Sequence, residues 1–190
     1  MPDIYVIGGP NGAGKTTSAI ALMPELLECD EYVNADAIAA GLSPFKPDGA
    51  AIEAGRLMLA RIHSLANKNV SFAFETTMAS RSLAIFARGA AAKGYRIHVL
   101  YLWLRSPELA VARVAERVAQ GGHSVPEEVI RRRYVSGLRN FMRLYLPICD
   151  AWTCYDNSDE LAQLIANKEI AVNATVMIPN IWNAIVEAAQ

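Results

Sequence analysis

The chain has 190 residues, 53% of them apolar and 19% charged, with a formal net charge of −1. Such a composition supports one buried core, with no charge block or low-complexity tract to suggest a disordered tail. It also excludes any global attraction to a nucleic-acid backbone or an acidic membrane surface.

In chain order, Ile4-Tyr5-Val6-Ile7 is short, β-branched and closed by Gly8-Gly9, which predicts a buried strand entering a tight turn. A helix is expected from Lys15, stopping at Pro24 or just before it. Tyr32-Val33-Asn34-Ala35-Asp36 reads as a short apolar strand end, with Asp36 placed to cap a helix from Ala37. Asp48 is placed to cap a longer helix, in which Ile52, Leu57, Ile62 and Leu65 form one stripe and which ends near residues 67–69. Val70 to Phe74 predicts a second buried strand, Ala79 to Ala92 a helix, and Arg96 to Leu104 a third strand.

Pro107 opens a helix to about Ala119, and Pro126 opens another reaching about Tyr145. Between them, Gln120-Gly121-Gly122-His123-Ser124 reads as a flexible joint, so that residues 107–135 form a helical lid. Ala151 to Tyr155 predicts a last parallel strand, residues 161–177 are too irregular to assign, and Pro179 opens a terminal helix. The alternation predicts an α/β fold of three layers. A central, mostly parallel sheet is covered on both faces, and the functional groups lie at the carboxyl ends of its strands.

No apolar run reaches the eighteen residues that a membrane helix needs, and Met1-Pro2-Asp3 lacks the basic start of a signal peptide. One domain over residues 1–190 in the cytoplasm is expected, with neither membrane nor nucleic acid as a partner. Cys29, Cys149 and Cys154 are odd in number and contain no CxxC pair, so they read as reduced core residues. His63 and His98 read as interface or surface residues.

Gly9-Pro10-Asn11-Gly12-Ala13-Gly14-Lys15-Thr16 matches GxxxxGK[ST] in full, followed by Thr17, and stands between a strand and a helix as that motif requires. Glycines let backbone N–H groups turn toward phosphate oxygens, and the helix N-terminus favours negative charge. Lys15 would reach the terminal phosphates of ATP and the Thr16 hydroxyl would ligate Mg2+. The same string resembles the phosphate loop of ABC transporter ATPases. The chain, however, has neither a Leu-Ser-Gly-Gly signature nor an apolar strand ending in Asp-Glu.

Phosphoryl transfer to a hydroxyl uses a carboxylate that orients the acceptor and takes its proton late, a role a low-pKa aspartate fills. Asp36 is the candidate base, and Glu75, with Thr76 and Thr77 at the end of the second strand, is assigned to substrate hydroxyls or magnesium waters. Arg81 is a candidate for the same pocket. Arg113 and Arg117 share one helix face before the joint and are candidates to stabilise the γ-phosphate charge. Arg131, Arg132 and Arg133 point in three directions and read as a solvated basic face.

With the phosphate loop, Asn34-Ala35-Asp36, Phe74-Glu75-Thr76-Thr77 and Arg113-Val114-Ala115-Glu116-Arg117-Val118 in this order, residues 3–157 resemble the zeta toxin family of P-loop kinases. The resemblance implies ATP- and Mg2+-dependent phosphorylation of a sugar nucleotide such as UDP-N-acetylglucosamine, and a small helical antitoxin as partner. It implies that Lys15 and Thr16 bind ATP and magnesium, Asp36 is the base, Asn34, Glu75 and Thr77 lie at the substrate, and Arg117 meets the phosphates. His123 stands where that family carries a second lid arginine, shortly before Pro126. A kinase for another metabolite or an antibiotic, and a nucleotide-gated ATPase or binding module, are the alternative readings.

Overall fold

The structure, a computed structural model, describes residues 1–26 and 29–190. The elements are β1 (Asp3–Gly8), α1 (Lys15–Leu26), β2 (Tyr32–Val33), α2 (Ala35–Leu42), α3 (Ala51–Asn67), β3 (Phe72–Thr76), α4 (Arg81–Ala91) and β4 (Arg96–Trp103). Then come α5 (Pro107–Ala119), α6 (Glu127–Asn140), β5 (Ala151–Asp156), β6 (Gln163–Lys168), β7 (Thr175–Val176) and α7 (Pro179–Ala188). The seven strands form one sheet in the order β2-β3-β1-β4-β5-β6-β7. The first five are mutually parallel, β6 pairs antiparallel with β5, and β7 pairs antiparallel with β6. Because β1 lies between β3 and β4, the residues that follow these three strands converge at one edge of the sheet.

One sheet face carries the main core. Ile4, Val6, Phe72, Phe74, Ile97, Val99 and Tyr101 are all buried there, each fully buried apolar side chain contributing roughly 1.5–3 kcal/mol against exposure. Phe86 of α4 meets Phe72 and Phe74, Tyr101 stacks on Phe141 at 4.1 Å, and Trp152 stacks on Trp182 of α7 at 5.2 Å. On the opposite face, Ala19 of α1 and the strand residues Tyr5, Ile7, Leu100 and Thr153 line a groove of about 410 Å³. The expected cover on both faces is therefore unequal.

Several local expectations are corrected. α1 continues past Pro24 to Leu26. Asn34, not Asp36, caps α2: its side-chain oxygen accepts from the backbone N–H of Asp36 at 2.7 Å and of Ala37 at 3.3 Å. Asp48 lies in a 3-10 turn (Pro47–Ala50) and does not cap α3. The buried face of α3 is Ala54, Met58, Ile62 and Leu65, whereas Ile52 is 76% and Leu57 43% exposed. Small alanines let α3 approach its neighbours on a face that a count of large side chains misplaces.

The second strand begins at Phe72 rather than Val70. α6 passes at Phe141 into a π turn (Phe141–Tyr145), which seats Phe141 and Tyr145 in the core. Residues 161–177 contain β6 and β7, whose pairing depends on β5 as a template. His98 is partly buried rather than an open surface residue. Its Nε2 lies 2.7 Å from Asp3 Oδ1 and its ring stacks on Tyr5. The three cysteines are buried and free, as their spacing predicts. Among the described residues no helix is long and apolar enough to cross a membrane.

Candidate active site

The loop between β1 and α1 closes over its own lysine. Gly9 has φ +146°, and a Cβ there would lie 2.4 Å from the Leu102 carbonyl oxygen, so only glycine lets the loop pass the end of β4. Gly14 has φ +78°, next to Asn157, whose amide donates to the Ala13 carbonyl at 2.8 Å. Asn157 follows β5 and so clamps the loop from the far side of β4. Lys15 is 7% exposed, with Nζ donating to the Pro10 carbonyl at 2.8 Å. Burial pushes its pKa down, while the carboxylates of Glu75 and Asp36 pull it back up.

Glu75 lies near the end of β3, largely buried beside this loop. Its Oε2 accepts from Thr16 Oγ1 at 2.7 Å, from the Tyr32 hydroxyl at 2.6 Å and from Asn34 Nδ2 at 2.9 Å, and its Oε1 lies 3.9 Å from Lys15 Nζ. Burial and then Glu75 raise the pKa of Tyr32, so its hydroxyl stays a donor to the carboxylate. One side chain thus ties β3 to β2, α1 and the cap of α2. Thr16 and Thr17 open α1 and are themselves exposed.

A cleft of about 280 Å³ spreads from the loop. Lys15, Asp36, Glu75, Thr77 and Arg117 line it, together with Asn11, Gly12, Asn34, Thr76, His123 and Arg133. Asp36 stands in the first turn of α2, exposed, and its carboxylate makes no hydrogen bond or ion pair with any described residue. Arg117 donates through its terminal nitrogen to the His123 carbonyl at 2.7 Å, and its Nε is buried without a partner. The Oδ1 of Asn11, a residue 7% exposed, is likewise buried without a partner. Buried polar atoms left unpaired are uncommon in folded chains, and both belong to residues that line this cleft. The His123 ring pairs with Asp48, joining the glycine joint to the turn before α3.

The candidates therefore divide. Gly12, Asn11, Lys15, Asn34, Asp36, Glu75, Thr76, Thr77, Arg117 and His123 are brought together. Arg81 is exposed outside the cleft lining. Arg113, expected beside the γ-phosphate, turns away: it donates to the carbonyls of Asn157 at 2.6 Å and Ser158 at 2.9 Å, supporting the clamp on the loop. Two residues four apart share a helix face only broadly, and α5 meets the β5 exit with one and the cleft with the other. Arg133, read as part of a solvated face, lines the cleft. Tyr32 and Asn157 carried no motif, and only the sheet order brings them to the site.

A family model described as an AAA domain matches residues 4–135. A protein of Haemophilus influenzae described as uncharacterized is 29% identical over 126 residues, 66% of this chain and 88% of that protein. The AvrRxo1-ORF1:AvrRxo1-ORF2 structure with sulphate ions superposes on 100% of this chain with a TM-score of 0.80 and 16% identity. A second AvrRxo1-ORF1:-ORF2 structure, with ATP, gives 0.78 at 16% identity. This chain spans 65% of the AvrRxo1 chain in both. The PezAT chromosomal toxin–antitoxin system of Streptococcus pneumoniae gives a TM-score of 0.65 at 14% identity, covering 100% of this chain and 84% of that one. These solved structures share the fold: a mostly parallel sheet with helices, of the P-loop kinase type.

Proposed function

The chain belongs to the AAA-domain family of P-loop proteins, and from that premise we propose that it is an ATP-dependent phosphotransferase acting on a hydroxyl of a small molecule. The observation that carries this reading is the shared cleft. Buried Lys15 lies inside the phosphate loop on one side, and the unpaired carboxylate of Asp36 faces the same space from α2. A carboxylate without a protein partner beside the phosphate loop can orient an acceptor hydroxyl and take its proton.

In this reading the backbone amides of the loop and Lys15 hold the ATP phosphates. Thr16 Oγ1 and Glu75 are hard oxygen donors in mutual contact, a pair that suits Mg2+, which keeps several waters and takes few protein ligands. When bound, the ion neutralises charge between the terminal phosphates. Asp36 orients the acceptor hydroxyl and takes its proton as the new P–O bond forms and the bond from the γ-phosphorus to the bridging oxygen of ATP breaks, leaving ADP. Arg117, which lines the cleft, supplies a guanidinium donor to the transferring group from α5, the lid helix.

The acceptor class we propose is a sugar nucleotide of the UDP-N-acetylglucosamine type, supported by the zeta toxin resemblance. The likeness to the PezAT toxin–antitoxin system and to the AvrRxo1 complex also supports a small protein partner as antitoxin. Transfer of labelled γ-phosphate from ATP to UDP-N-acetylglucosamine tests the reaction. Asp36→Asn should lower turnover about 10²–10⁴-fold with ATP affinity kept. Retention of most of the rate would remove Asp36 from its role. ATP hydrolysis without a phosphorylated product would overturn phosphotransfer itself.

A further inference from the structure

Arg133 is the cation of the cleft that the reaction as described does not use. Its two neighbours in sequence are accounted for: Arg131 pairs with Glu127 at 2.8 Å and also with Glu108, and Arg132 is exposed. Arg133 is half-buried and makes no hydrogen bond or ion pair with any described residue. Burial pushes its pKa down and the charge of Asp36 opposes that shift, so the two groups sense each other across the cleft. A guanidinium that gives up water without gaining a carboxylate costs stability unless something else completes it.

Its position is fixed by the helix that bears it. Arg133, Gly137 and Asn140 recur at helical spacing on one face of α6. A Cβ on Gly137 would lie 2.3 Å from the Thr77 carbonyl oxygen, so the α6 backbone rests directly on the loop leaving β3. The Asn140 amide donates to the carbonyls of Met78 at 2.7 Å and Ala79 at 3.2 Å. The helix is thus riveted to the segment that carries Thr77, with Arg133 one turn earlier, over the cleft. Beyond Arg133 a second, polar groove continues outward, lined by Thr77, Ser80, Arg132 and Ser136.

Resting on the kinase reading above, we propose that Arg133 is the specificity-determining residue for the acceptor. It grips an anionic group of the acceptor, while Asp36 holds the hydroxyl that is phosphorylated. The substrate enters with its own negative charge, its phosphate or diphosphate lying between Arg133 and the groove that leads to Arg132. Lys15 and Arg117 serve the ATP side of the same cleft, so the two sides divide the cations between donor and acceptor.

The test separates this assignment from the kinase reading. With the phosphate loop of the full chain saturated by Mg2+ and the non-hydrolysable analogue AMP-PNP, N-acetylglucosamine 1-phosphate, N-acetylglucosamine and pyrophosphate are each titrated calorimetrically. The wild type should bind the two anions at least about tenfold more tightly than the neutral sugar, the gain of one charge-assisted bidentate contact. Arg133→Gln should abolish that preference and Arg133→Lys restore part of it, with AMP-PNP affinity within about twofold. Equal binding of charged and neutral probes to the wild type, or a preference that survives in Arg133→Gln, overturns the proposal. So does a parallel loss of AMP-PNP affinity, which would place Arg133 on the donor side. Failure of the kinase reading shows elsewhere, as absence of transfer from ATP while the anion preference remains. Melting midpoints of both variants exclude misfolding as the cause.

Discussion

The two ends of the parallel strands carry similar charges put to opposite uses. At the amino end, Asp3 is complete: Arg96 donates to both of its oxygens at 2.7 Å and His98 lies 2.7 Å away. Burial alone would raise its pKa, yet the hydrogen bonds from Arg96 and His98 outweigh burial and hold it below the ordinary aspartate range. At the carboxyl end, the Asp36 carboxylate and the Arg133 guanidinium make no hydrogen bond or ion pair with a described residue, and Asn11 and Arg117 each leave a buried polar atom unpaired. A closed cluster stabilises β1 against β4. An open one leaves hydrogen-bonding capacity for a ligand, at a cost in stability that the rest of the fold absorbs.

The largest expected effect comes from breaking the open end. Lys15→Ala should lower phosphotransfer by about 10²–10³-fold, as loss of one preorganised electrostatic donor does. Its melting midpoint should change little, because relief of a buried cation is offset by loss of its contacts with the Pro10 carbonyl and Glu75. A large fall in melting midpoint would show that Lys15 is structural and erase the contrast.

Asp3→Asn should do the reverse, keeping kinetics while lowering the melting midpoint, about 2–4 °C for each kcal/mol lost in a chain of this size. Because the folded pKa of Asp3 is depressed, its contribution is present above the unfolded value near 3.9 and is lost as pH falls through the folded value. The gap between wild type and variant should therefore close in acid, and a gap that widened there would refute the ion cluster. The smallest effect belongs to His123→Gln. It removes the ring pairing with Asp48 but keeps the backbone carbonyl that Arg117 uses. Turnover should shift no more than about fivefold, in line with a partly exposed pair, and a larger change would give the ring itself a place at the phosphates.

Much of the open end was legible in residue order. The loop from Gly9 to Thr16 declares itself because phosphate binding uses backbone amides, whose geometry follows from glycine spacing alone. Glu75 was visible as an acid closing an apolar strand, and Asp36 as an acid after a short one. The closed end was not legible: nothing in the sequence joins Asp3 to Arg96 and His98, which meet only because β1 pairs with β4 in the observed register.

Local sequence thus determined the phosphate loop, most helices and the parallel strands, because glycine, proline and apolar periodicity act within a few residues of where they stand. Tertiary structure decided the division between Arg113, which supports the loop, and Arg117, which faces the cleft. It also chose Arg133 from three consecutive arginines and paired β6 and β7 onto the sheet. Each of these choices depends on which partner lies opposite a side chain. That is set by how helices and strands from distant parts of the chain pack together.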